Sequence, residues 1–194
     1  MPYVREIIQE GHPTLRKVAK RVDPKELDDP LFQQLIDDMF ETMYKAPGIG
    51  LAAPQINVSK RIFTIDLHDD DPTHGPFVVI NPKFEVLDGE EEWRRDGCLS
   101  YVGYVGESLR YTHAVVTGLD RDGNKIRLEG DGLFAHCLQH EIDHLNGILY
   151  IDKGRNVHAA ADDEEESEEG GEPVASVTLS PSTALRINCV EGQT

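Results

Sequence analysis

The sequence predicts an α+β fold, a single domain in which mixed or antiparallel sheets pack around a central helix carrying H-E-x-x-H. Two observations point there. A helical segment comes first, several β-rich segments follow, and a second helical segment closes the patterned region, an order that suits α+β better than alternating βαβ. The 194 residues are enough for one domain with a substantial core, and no internal repeat suggests an array.

Asp28-Asp29-Pro30 opens the first helix, since an acidic cap followed by Pro is a favoured helix start. Leu31, Leu35, Met39 and Met43 then recur every fourth residue, and Pro47-Gly48 ends the run. Residues 61–67, 77–80 and 114–119 are rich in β-branched or aromatic side chains and are predicted as strands. Asp120-Arg121-Asp122-Gly123-Asn124 is the turn of a hairpin, because Asp-Gly tolerates the positive φ it requires. Asp131 is the predicted N-cap, and Asn146-Gly147 the C-cap, of a second helix of about fifteen residues.

After Lys153 the composition changes. Residues 159–171 are three alanines followed by a run of Asp and Glu broken by one Ser and closed by two glycines. Such a segment cannot bury enough apolar surface to offset the entropy of ordering. The expected division is therefore a catalytic domain over 1–155 and an acidic, disordered tail over 156–194, with weak strand signals at 176–179 and 185–190.

Thirty-six acidic against nineteen basic residues give a net charge of −17, which argues against a nucleic-acid-binding surface. The excess is spread along the chain: 27 acids against 18 bases in residues 1–156, and nine against one in 157–194. No apolar run approaches the ~18 residues of a membrane span, and Met1-Pro2-Tyr3-Val4-Arg5-Glu6 does not open a signal peptide. Three widely spaced cysteines do not make a disulfide framework. A thiolate ligand needs a reducing compartment, so the cytoplasm is the expected location.

The chemistry is concentrated in Gln139-His140-Glu141-Ile142-Asp143-His144. On a helix, His140 and His144 stand one above the other and reach one metal ion, while Glu141 lies about 100° further round, near an open coordination position. Catalytic sites of this kind use a third protein ligand. The metzincin pattern H-E-x-x-H-x-x-G-x-x-H is met as far as Gly147 but places Tyr150 where His is needed. Cys98 upstream would complete a Cys-His-His set suited to zinc, iron(II), nickel or cobalt. His136, one turn before His140, offers a three-His rival. Three successive turns, however, spread the rings over about 12 Å, against metal–nitrogen bonds of about 2.0–2.1 Å.

Gly48-x-Gly50-x-x-Ala53 matches a loose dinucleotide fingerprint, but it follows a helix and Pro54 interrupts any helix beginning there. Gly48 and Gly50 would instead let backbone approach a substrate, and Gln55 would offer its amide N–H to a developing oxyanion.

Three segments in order, Gly48-Ile49-Gly50-Leu51-Ala52-Ala53-Pro54-Gln55, Asp96-Gly97-Cys98-Leu99-Ser100 and Gln139-His140-Glu141-Ile142-Asp143-His144, resemble the motifs of the peptide deformylase family. Gly11-His12-Pro13-Thr14-Leu15-Arg16 and Gly130-Asp131-Gly132-Leu133 also resemble it, and the likeness runs from residue 3 to residue 155. The resemblance implies a hydrolase that removes the formyl group from the formyl-methionine end of newly made polypeptides. It implies one divalent metal ion on Cys98, His140 and His144, natively iron(II), with zinc, nickel or cobalt as substitutes. Glu141 would carry protons between water and the departing amine. Gln55 and the backbone N–H of Leu99 would stabilise the oxyanion. Gly48, Ile49, Gly50, Leu133 and His136 would border the substrate, His136 beside the methionine pocket.

Several positions depart from the family pattern. Asp96 stands where Glu is usual, Val102 where Pro is, and Val105 where an Arg is common. Arg94 and His136 occupy places that are usually apolar. None is a ligand or the base, so specificity and rate are in question more than reaction class. The acidic tail would be repelled by RNA, so any ribosome association should use another surface. The rival readings are an H-E-x-x-H metalloprotease and a catalytically altered homologue.

Overall fold

The computed structural model describes residues 1–68, 71–85 and 89–161. Two α-helices and eight strands are present among them. The first helix, α1 (Pro30–Lys45), begins where Asp29 accepts a hydrogen bond from the Leu31 N–H at 2.9 Å. Its buried stripe is Phe32, Leu35, Ile36, Met39 and Met43, with Leu31 left 78% exposed. Fourfold spacing drifts about 40° per step around a helix of 3.6 residues per turn, so Leu31 falls off the face that Met39 and Met43 define.

A five-stranded antiparallel sheet has the order β1-β2-β3-β6-β7, formed by β1 (Gly50–Ala52), β2 (Ile62–Ile65), β3 (Phe77–Glu85), β6 (His113–Leu119) and β7 (Lys125–Asp131). The predicted segments at 61–67, 77–80 and 114–119 all fall in it, and β6 and β7 form the predicted hairpin across 120–124. Alternation along β2 divides the core. Phe63 and Ile65 join Val79, Val116, Leu138 and Leu145 in one cluster, while Ile62 joins Ile36, Met39, Met43 and Leu51 in the other. The sheet thus presents one face to α1 and the other to the second helix, α2 (Gly132–Leu145).

A three-stranded antiparallel sheet, β4-β5-β8, comprises β4 (Glu91–Cys98), β5 (Tyr101–Tyr111) and β8 (Arg155–Ala159). Through β8 the chain is still paired to β5 at Tyr104 and Ala159, four residues beyond residue 155. Most of the expected tail, including 176–179 and 185–190, lies outside the described residues.

α2 contacts strands of both sheets. Gln139 ties it to β5, its amide donating to the Tyr111 carbonyl at 2.9 Å and its oxygen accepting from the Tyr111 N–H at 3.0 Å. Asp131 holds the N-cap position as expected, but its carboxylate makes no capping bond and instead meets His113 Nδ1 at 2.6 Å. At the other end Gly147 takes a left-handed φ of 75° and Ile148 N–H reaches back to the Asp143 carbonyl at 3.0 Å, closing the helix. A Cβ on Gly147 would lie 2.8 Å from the Arg16 backbone, so this turn needs Gly for space as well as conformation.

Candidate metal centre

The last turns of α2 face the end of β4, where the strand turns at Leu99 and Ser100. Helical spacing stacks His140 and His144, their ring centroids 4.9 Å apart. Cys98 approaches from the strand side, with Sγ 3.2 Å from His144 Nε2. One ligand atom from each of Cys98, His140 and His144 lies within 4.8 Å of the others, and all three residues are buried. His136, on the same helix, is not among them.

The polar atoms around this cluster divide into tied and untied. His140 Nδ1 lies 2.8 Å from Asp96 Oδ1, which leaves Nε2 to face the cluster, and that Nε2 finds no protein partner. Both Glu141 oxygens are likewise buried and unpartnered. Buried polar groups are normally satisfied, so a bare nitrogen and a bare carboxylate beside a thiol and a second imidazole suit an ion and a reacting water. A sulfur and two nitrogens match borderline divalent metals. The donor set therefore fits the group.

Burial pushes the Glu141 carboxyl up to about 8, His140 pulling the other way. Burial likewise drives His144 well below the ordinary imidazole range, with His140 adding to the effect. Against its own desolvation, His140 is held well above that range by Asp96. Asp96 is the pivot. Burial would raise its pKa, but His140, Arg110 and His136 hold it well below the usual carboxylate range. Its Oδ2 accepts from Ser108 Oγ at 2.6 Å and from Arg110 Nη2 at 2.8 Å, and Arg110 Nη1 continues to Asp143 at 2.8 Å.

Gln55, in a short 3-10 turn after β1, is fully buried. Its side-chain oxygen accepts from the Ala52 N–H at 2.8 Å, which turns Nε2 toward Cys98 Sγ at 3.6 Å. Leu99 follows Cys98 directly, and its carbonyl accepts from Gln9 at 3.0 Å. Ile49 and Leu133 pack against the core cluster that contains α2, and the Gly48 carbonyl lies 3.2 Å from His68 Nε2. A Cβ on Gly50 would collide with Glu141 Oε1 and come 3.0 Å from Cys137 Sγ. The glycine thus makes room for the Glu141 carboxylate, a role beyond the substrate approach expected of it. His136 is 1% exposed, with Nε2 3.1 Å from Asp96 Oδ2, and it lines a narrow cleft with Arg94, Arg110 and Tyr111.

Sequence reasoning did not find Ser108 and Arg110. Both lie on β5, more than 25 residues from His140 in the chain, and nothing local marks them.

A buried carboxylate beside a thiol and two imidazoles, at the meeting of a helix and a strand end, is the arrangement of a metal-dependent hydrolase. The comparisons make this specific. The polypeptide deformylase family profile matches residues 4–160, and the chain belongs to that family. It is 50% identical over 152 residues to the peptide deformylase of Hahella chejuensis, covering 78% of this chain and 88% of that one. It is 51% identical over 146 residues to that of Cellvibrio japonicus, covering 75% and 83%. Among solved structures, a Synechococcus elongatus peptide deformylase in complex with actinonin superposes with a TM-score of 0.71 at 40% identity, over 88% of this chain and 87% of that one. A Met-Ala-Ser-bound class I type b enzyme from Acinetobacter baumannii gives 0.73 at 31%, over 79% and 99%.

Proposed function

We propose that this chain hydrolyses the N-formyl group from the formyl-methionine end of newly made polypeptides, releasing formate. The observation that carries the reading is the buried, unpartnered Glu141 carboxylate beside the converging donors of Cys98, His140 and His144. In this reading those three residues hold one divalent ion, natively iron(II), with zinc, nickel or cobalt able to replace it. Bound there, the ion supplies a Lewis acid and lowers the pKa of water toward neutrality.

The chain's own groups do the remaining work. Glu141 takes a proton from water on a carboxylate oxygen and delivers it to the departing α-amine. Gln55 Nε2 and the Leu99 backbone N–H stabilise the oxyanion formed from the formyl oxygen. Gly48, Ile49, Gly50, Leu133 and one face of His136 border the peptide. α2 serves as the central helix on which both sheets converge. The catalytic unit includes β8. The working location is the cytoplasm, and contact with the ribosome does not use the acidic tail. Among the described residues no helix is long and apolar enough to cross a membrane.

The test is formate release from formyl-Met-Ala by protein loaded anaerobically with iron, nickel or zinc, alongside an unformylated protein substrate. Formate release without internal peptide cleavage is expected. Cleavage of internal bonds, or no formate with any of the three metals, overturns the reading.

A further inference from the structure

Asp96 reaches α2 from β4, and its side chain is completely buried. One oxygen meets His140 Nδ1 at 2.8 Å, and the other is shared by Ser108 Oγ at 2.6 Å, Arg110 Nη2 at 2.8 Å and His136 Nε2 at 3.1 Å. His136 Nε2 makes no hydrogen bond at that distance, and Nδ1 has no partner among the described residues either, so the contact is that of a polar ring edge beside a carboxylate. His136 stands one turn before His140 on the same helix. Its ring therefore occupies the space beside the carboxylate that orients His140. Asp96 on β4 and His136 on α2 thus meet across the contact between strand and helix, 3.1 Å apart.

We propose that His136 is a positioning residue for His140, acting through Asp96, and that Asp96 and His136 are a matched pair. A short carboxylate leaves room on the α2 side, and the imidazole fills it with a polar edge. An apolar side chain at 136 takes away one polar neighbour of Oδ2, on the α2 side, and leaves its bonds to Ser108 and Arg110. A Glu at 96 is longer by one bond of about 1.5 Å. Its carboxylate would be carried into the His136 ring or past His140 Nδ1. Either single change misdirects His140, and both together restore the fit.

The inference rests on the proposed metal centre, so its primary readout is metal release and not turnover alone. The experiment measures the rate at which cobalt-loaded protein loses its ion to a chelator, with the cobalt absorption spectrum and kcat and KM on formyl-Met-Ala alongside. Groups that orient metal-bound histidines are commonly worth about 10–100-fold in metal affinity or activity. His136→Ile and Asp96→Glu are each expected to speed cobalt release by about tenfold and to shift the spectrum. The fall in activity should lie in kcat more than in KM. The double variant should return to within about threefold of the parent, a non-additivity diagnostic of contact. His136→Gln, which keeps a polar group near the Nε2 position, should release cobalt at close to the parental rate with the parental spectrum, and serves if an apolar residue at 136 prevents folding. Strictly multiplicative effects in the double variant, or parental cobalt release and spectrum in His136→Ile, overturn the pairing. Absence of formate release in every variant and the parent, with the cobalt cycle intact, would instead overturn the proposed reaction and leave the pairing standing.

Discussion

α1 and α2 flank the same five-stranded sheet and are built on opposite principles. α1 buries an apolar stripe, leaves its other side to water and is capped by its own Asp29. α2 is buried almost all round, and that burial includes His136, Gln139, His140, Glu141 and His144. Burying polar groups without partners is costly, so a helix chosen for stability alone would not look like α2. Its hydrogen-bonding groups are met from other elements, His140 by Asp96 on β4 and Gln139 by Tyr111 on β5, or are left bare where chemistry is proposed. α1 contributes stability to the fold, whereas α2 spends some of it on the site.

The contrast is broken most sharply at the site end of α2. Cys98→Ala should lose tight metal binding altogether, whereas Glu141→Ala should keep about one equivalent of metal and lose at least ~10²-fold in kcat. Metal analysis with steady-state kinetics separates the two. Wild-type turnover in Glu141→Ala would remove it as the proton carrier.

On α1 the corresponding change should act on stability and spare the chemistry. Met39 is completely buried, and Met39→Ala is expected to cost about 2–5 kcal/mol in denaturant unfolding. The kcat of the remaining folded protein should stay near the parental value. A fall in kcat without a fall in stability would mean that the α1 face communicates with the site.

The two N-caps sharpen the contrast at smaller scale. Asp29 makes a capping bond, so Asp29→Ala should cost about 1 kcal/mol at any pH above the carboxylate range. Asp131 sits in the same position on α2 but bonds His113, and that hydrogen bond, assisted by Glu129, raises the His113 pKa above its ordinary 6.5. A raised folded-state pKa means tighter proton binding in the folded protein. Its stabilisation is complete below the unfolded value and fades as pH rises through the folded one. Asp131→Asn should therefore lower the His113 pKa seen by NMR titration and reduce thermal stability on the acid side only. An unchanged His113 titration would show that the pair does not persist in solution.

Legibility followed sequence distance. α1 could be read from Asp29-Pro30 and its repeating apolar residues, although Leu31, the first of the fourfold series, lies off the buried face. The β6–β7 hairpin could be read from its Asp-Gly turn. β4 and β5 could not. Glu91-Glu92-Trp93-Arg94-Arg95-Asp96 carries too much charge to resemble a strand, yet it pairs with β5 along its length. Its exposed end keeps those charges in water, and only the end at Asp96, Gly97 and Cys98 enters the core.

The spacing of His140, Glu141 and His144 is a property of one helix, and the sequence by itself determined that all three would share one end of it, because 3.6 residues per turn leaves no other arrangement. It also determined that Pro30 starts one helix and Gly147 ends the other, since Pro fixes φ near its helical value and Gly alone takes the left-handed φ of the closing turn without strain. The approach of Cys98 to His144, the space that Gly50 leaves for Glu141, and the burial of Asp96 among Ser108, Arg110, His136 and His140 were decided only by tertiary structure. Each is a contact between elements far apart in the chain, set by how β1, β4 and β5 meet α2, and no local pattern carries a distance of that kind.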